Sequence, residues 1–184
     1  EATALAEGPS GRNSGFMIDL PHDLTGSNYS GKLEKDRLTI ARNRMAINFA
    51  RETVAELNLP HEAFKEIGKI NGAAGEKGLR RNFKYAQHLT KLGEEHHNYD
   101  AKTMKNITGI NYYKGGLFTP GTVMLQPALY IRSLGEKLIS NQLKIYENSP
   151  VISLNRNGSD WQAKTPHGVV STPKVILATN GHAE

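Results

Sequence analysis

From Lys32 to Leu57 the chain runs without glycine or proline, and Ile40, Ile47, Ala50, Val54 and Leu57 recur at helical spacing. That period predicts a long amphipathic helix whose apolar stripe packs on a sheet, with Leu38, Ala41, Met45 and Phe49 widening the covered face. Asn58-Leu59-Pro60 ends it, because the residue before a proline is disfavoured in helical geometry. A second helix is predicted over Arg81–Leu92, with Gly93 as its C-terminal stop. A third runs from Pro127 to Ile139, where Pro127 suits a first helical turn.

Between and after these helices the pattern changes to short strands. Phe64 to Ala74 reads as a strand broken at Gly72. Tyr112 to Leu125 reads as strand, turn, strand around Gly115-Gly116 and Pro120-Gly121. Towards the end come four short runs, Leu143–Tyr146, Val151–Leu154, Trp161–Lys164 and Val169–Ser171, with Asn157-Gly158 and His167-Gly168 as tight-turn signals. Lys174 to Ala178 closes the series with the unbroken apolar run Val175-Ile176-Leu177-Ala178, the signature of a parallel strand covered on both faces. The fold class expected is mixed α/β. Glu1 to Gly31, rich in Gly, Ser, Asn and Pro, reads as loop.

Composition narrows the function. With 38% hydrophobic and 22% charged residues, the 184-residue chain suits a globular domain, and no apolar run approaches the roughly 20 residues of a membrane span. The net charge of +5 is spread along the chain without a recognition motif, so nucleic acid is not an expected partner. There is no cysteine, which excludes disulfides and thiolate metal sites and fits a cytoplasmic setting. His96-His97 suggest no metal centre, since adjacent residues on a helix diverge and no carboxylate spacing supports one.

The densest chemistry lies in Glu7-Gly8-Pro9-Ser10-Gly11-Arg12-Asn13-Ser14-Gly15. Glycines let backbone amides come close to an anion, and hydroxyl, amide and guanidinium groups add donors. Such a loop can hold a pyrophosphate or an electron-rich ring, or it can be an ordinary surface loop. Arg12 is either a fixed cation beside a reducible ring or a strut of the loop itself.

Ser10-Gly11-Arg12-Asn13-Ser14-Gly15 resembles the flavin loop of the D-amino-acid-oxidase-like flavoproteins (DAO family), most closely the gamma-glutamylputrescine oxidoreductase branch. Pro150-Val151-Ile152-Ser153-Leu154 with the returning Ala178-Thr179-Asn180-Gly181 resembles that family's meander and last strand, and Gln126-Pro127-Ala128-Leu129-Tyr130 a helix start. The resemblance implies FAD as cofactor, held non-covalently by this segment. Its contacts would be Glu1 (on the ribose hydroxyls), Ser10, Gly11, Arg12, Asn13, Ser14, Gly15, Val151, Ala178, Thr179, Asn180 and Gly181. It implies a Rossmann-like FAD-binding domain at 1–26 and 122–184, interrupted by a substrate domain at 27–121. It also implies oxidation of a C–N bond in a small amine or amino acid, with a hydride passing to the flavin and an imine as product.

No residue stands out as a general base, and an amine that arrives neutral needs none. The family's Gly-x-Gly-x-x-Gly turn and C-terminal region have no counterpart here, so these residues are expected to be an internal portion of a longer enzyme, inactive alone. Pro9 and Ser14 also depart from the family's small residues. The rival reading is a non-enzymatic α/β module that captures some other anion. It requires a self-sufficient domain, whereas the enzyme reading leaves Val175–Ala178 without a neighbouring strand.

Overall fold

A computed structural model describes residues 1–21 and 32–179. Its middle is built from two three-stranded antiparallel sheets bound to one long helix. In the first sheet Val123–Leu125 (β6) is central, flanked by Phe16–Met17 (β1) and Phe64–Glu66 (β2). In the second, Gly115–Thr119 (β5) is central, flanked by Lys69–Ala73 (β3) and His97–Asp100 (β4). Where the sequence predicts one strand over 64–74 broken at Gly72, two strands form and the break falls at Gly68, which has φ +68°. Gly72 stays inside β3, beneath the ring of Tyr113. The expected strand, turn, strand over 112–125 does form, but β5 and β6 join different sheets. At this double crossing the Gly68 amide donates to the Thr122 carbonyl at 2.9 Å.

Leu33–Glu56 (α1) matches its predicted span. Ile40 joins Leu20, Leu117 and residues Tyr85, Ala86 and Leu89 of the helix Glu76–Leu92 (α2) in one core cluster. About two turns further on, Ile47 and Ala50 join Phe64 and Val123 in a second cluster. A single stripe of α1 therefore covers both sheets. The predicted widening of that stripe does not occur: Leu38, Met45 and Phe49 are 61%, 70% and 72% exposed. At about 100° per residue they point roughly opposite Ile40 and Ile47, so they belong to a separate face.

Helix α2 starts earlier than predicted and stops as expected at Gly93, which is left-handed with φ +78°. Its contact with α1 contains a buried polar pair, His88 Nε2 and Asp36 Oδ2, 2.7 Å apart. The stretch 97–108, which carried no predicted element, forms β4 and the helix Ala101–Thr108 (α3). His97 thus begins a strand, not a helix, and its ring stacks on Phe118. Among the described residues no group of three His, Asp or Glu side chains is placed to hold a metal.

A buried carboxylate stands beside the crossing. Asp19 accepts from Arg44 Nη2 at 3.0 Å, and the same guanidinium donates to Glu94 at 2.5 Å. The Glu94 hydrogen bond, reinforced by Asp19 and opposed by burial, raises the Arg44 pKa. Lys69 is shifted the other way: burial lowers its pKa and Asp19 opposes the change.

The remainder consists of the helix Pro127–Leu138 (α4) and an antiparallel meander of Ser153–Asn157 (β7), Asp160–Thr165 (β8) and Gly168–Thr172 (β9). Both turn signals are met, with Asn157 paired to Asp160 and Thr165 to Gly168. Leu143–Tyr146 is not the expected regular strand. Val175–Ala178 pairs with no described strand, the arrangement in which the enzyme reading leaves it, and it is not the covered strand its composition suggests. Ile176 is 92% exposed. A buried parallel strand needs hydrogen-bonding neighbours and cover on both faces, and neither lies alongside. No helix among the described residues is long and apolar enough to cross a membrane.

Candidate functional site

The segment from Ser10 to Gly15 is shaped by its own polar groups. Gly11 N–H donates to the Gly8 carbonyl at 3.1 Å and Arg12 N–H to the Pro9 carbonyl at 3.3 Å, which folds the glycine-rich stretch into consecutive turns. The Asn13 amide then donates to the Pro9 and Ser10 carbonyls at 3.2 and 2.9 Å, while its Oδ1 accepts from Gly15 N–H at 2.9 Å. Asn13 is therefore saturated within the loop, as an Asx turn requires. Gly11 presses against the Ala6 peptide, where a Cβ would fall 2.0 Å from the Ala6 oxygen.

What the loop leaves over are donors. The exposed Arg12 guanidinium makes no hydrogen bond or ion pair with another described residue, and the backbone amides of Asn13 and Ser14 have no acceptor among them. Such groups suit an anion or the polar edge of a ring.

The loop is fixed to the rest of the molecule at both ends. Upstream, Glu1 N–H donates to the Tyr146 carbonyl at 3.0 Å, Ser149 N–H to the Glu1 carbonyl at 2.9 Å and Asn148 N–H to the Thr3 carbonyl at 3.1 Å. The 1–5 segment thus runs along residues 146–149, just after the predicted strand Leu143–Tyr146. Helix α4 braces it through Arg132 Nε, which donates to the Leu5 carbonyl at 3.2 Å. Helix α4 is itself set by its Gln126 N-cap, whose Oε1 accepts from Leu129 N–H at 2.8 Å, and by Pro127 in its first turn. Downstream, Gly15 adopts φ +74° and its carbonyl accepts from Leu125 N–H at 2.8 Å.

A cavity of about 710 Å³ opens between these pieces. Glu1, Ser10, Val151, Ala178 and Thr179, all anticipated from the sequence, line it together. They come from separate stretches of the chain, so their convergence is a product of the fold. Gly11, Arg12, Asn13, Ser14 and Gly15 continue from Ser10 away from its wall. Asn180 and Gly181 lie outside the described residues.

Leu5, Ile131 and Ser149 also line the cavity and were not anticipated. Leu5 and Ile131 are plain apolar residues, and only the bracing of the 1–5 segment by α4 could have marked them. The Glu1 carboxylate accepts no hydrogen bond from a described side chain and remains available to an incoming donor.

Comparison with known proteins follows the same outline. The family model described as FAD dependent oxidoreductase (DAO) matches residues 1–184. The probable oxidoreductase OrdL of Haemophilus influenzae is 30% identical over 86 residues, covering 47% of this chain and 20% of that protein. Glycine oxidase from Geobacillus kaustophilus superposes with a TM-score of 0.70 at 16% identity, over 97% of this chain and 47% of its own. L-Amino acid deaminase from Proteus myxofaciens gives 0.65 at 16% identity, over 97% and 38%. At such identities the likeness establishes the fold. The chain spans less than half the length of the solved proteins it matches.

Proposed function

The chain belongs to the DAO family of FAD-dependent oxidoreductases, and from that premise we propose that its protein oxidises the C–N bond of a small amine or amino acid. The observation that supports this reading is the convergence of Glu1, Ser10, Val151, Ala178 and Thr179 on one cavity beside a loop with unused donors. These are the groups an FAD-binding surface needs, and the residues fit the cofactor. The Glu1 carboxylate is an acceptor suited to a ribose diol. Ser10 and the free amides of Asn13 and Ser14 offer donors to anionic or ring oxygens. Gly11 lets the loop close against the Ala6 peptide, while Asn13 holds the turn in place. Val151, Ala178 and Thr179 line the same cavity.

Bound FAD would supply the acceptor for a two-electron oxidation, with the imine product released to hydrolysis. Arg12 contributes an exposed positive charge, unpaired among the described residues, that would offset negative charge developing on a reduced ring. In this reading residues 1–26 and 122–184 serve the cofactor and residues 27–121 serve the substrate, with the first sheet, whose strands come from both parts, joining them. Glycine oxidase and L-amino acid deaminase, both similar in fold, are named for amino-acid substrates, which favours that class.

The test is an absorption spectrum of the protein expressed from its whole gene, followed by anaerobic addition of an amine and amino-acid panel. Flavin bands that bleach with members of the panel are expected. Flavin that bleaches only with other donors would overturn the substrate class, and a colourless protein that takes up no added FAD would overturn the assigned surface.

A further inference from the structure

Helix α1 is apolar on two sides, and only one of them meets the sheets. On the other side Leu38, Arg42, Met45, Phe49, Glu52 and Glu56 are all exposed. They recur at alternating steps of four and three residues, the spacing of a helix–helix seam. The seam is about 27 Å long at a rise of ~1.5 Å per residue. We propose that this face is where two copies of the protein associate, their α1 helices antiparallel about a two-fold axis at the level of residue 47.

The charges select that arrangement. Antiparallel pairing about residue 47 sets Met45 against the second copy's Phe49, Arg42 against its Glu52, and Leu38 against the stem of its Glu56. A parallel pairing would oppose Arg42 to Arg42 and Glu52 to Glu52. Isologous contact requires a self-complementary patch, and opposite charges placed symmetrically about a hydrophobic centre provide one. Within the chain Arg37, Arg44 and Arg51 pair with Glu34, Glu94 and Glu66. Arg42, Glu52 and Glu56 make no ion pair with any described residue. A lipid surface fits poorly, since it would have to accept Glu52 and Glu56 along the seam.

Sedimentation equilibrium on the protein expressed from its whole gene tests this. A dimer is expected, and Arg42→Glu and Glu52→Arg should each raise its dissociation constant about tenfold or more, because each turns two attractions into repulsions. The double variant R42E/E52R restores the pairing with signs exchanged and should return to within about threefold of the parent. Both positions are exposed, so the far-UV circular dichroism spectrum should stay unchanged and serves as the folding control, whereas thermal unfolding shifts with the dissociation constant. A monomer at every concentration would overturn the proposal, as would a dimer indifferent to both reversals or a double variant no tighter than the singles. A monomer would mean that another segment of the same protein, or nothing, covers the face.

Discussion

The Gly15 carbonyl accepts from the Leu125 amide at 2.8 Å, and a Cβ on Gly15 would fall 2.1 Å from the Leu125 carbonyl oxygen. This contact joins the donor loop to β6 and, through Gln126, to α4. Gly15→Ala must bear both a left-handed φ of +74° and that overlap. A destabilisation of about 2–4 kcal/mol is expected, with FAD affinity falling alongside. Denaturant unfolding and a flavin titration measure both. Unchanged affinity in a destabilised variant would show that the loop's position does not govern cofactor binding.

Arg12 gives the complementary case. Its side chain is exposed and makes no hydrogen bond or ion pair with a described residue, so Arg12→Ala should leave stability within about 0.5 kcal/mol of the parent while weakening FAD binding or lowering the flavin reduction potential. Arg12→Lys keeps the charge and loses the planar fork, so partial recovery is expected. A large stability loss in Arg12→Ala would instead make the residue a strut of the loop.

The Asp36–His88 pair lies buried between α1 and α2. Removing one partner costs the other this buried hydrogen bond, so Asp36→Ala and His88→Ala should each cost about 2–3 kcal/mol. The double variant should cost less than their sum, with a coupling of about 1 kcal/mol or more. Strict additivity in a double-mutant cycle would count against an energetic link.

Lys69 makes stability depend on alkaline pH. Burial lowers its folded pKa below the ordinary 10.5, against the pull of Asp19. Between that lowered value and 10.5 the unfolded chain holds more protons than the native one, so stability rises with pH through the window, and the cost of burying the charge is fully present below it. Lys69→Met should be at least as stable as the parent near neutral pH, with its advantage shrinking towards pH 10.5. Parallel stability curves for the two proteins from about pH 7 to about pH 11 would refute this.

Much of this fold can be read from the chain because local signals agree with it. Helix α1 had an unbroken run and a proline stop, α2 its Gly93, and the meander its Asn157-Gly158 turn. The anticipated cavity residues met because they belong to motifs carried whole by loop and turn. Other features depended on partners far away in sequence. Val175–Ala178 has strand composition, but composition cannot supply a neighbour. Leu38, Met45 and Phe49 were assigned to the core because apolar character says nothing about which way a residue points once two faces are apolar. The 97–108 stretch carries local helix signals of its own: Asp100 caps Thr103 N–H at 2.7 Å and Gly109 closes the helix with φ +76°.

The register of β6 also dictates an order of assembly. Met124 pairs with Phe16 on one side and Lys65 on the other, so this strand ties together segments more than a hundred residues apart. Contacts that span such distances form late, because the intervening chain must first be closed into a loop. During synthesis the donor loop emerges near the beginning of the segment, yet Leu125, which anchors it, emerges only with β6, after the second sheet and both flanking strands of the first have been translated. Cofactor capture therefore waits for β6 to complete the first sheet, and a nascent chain stalled before β6 would expose a loop that keeps its own turns but has no anchor to position it.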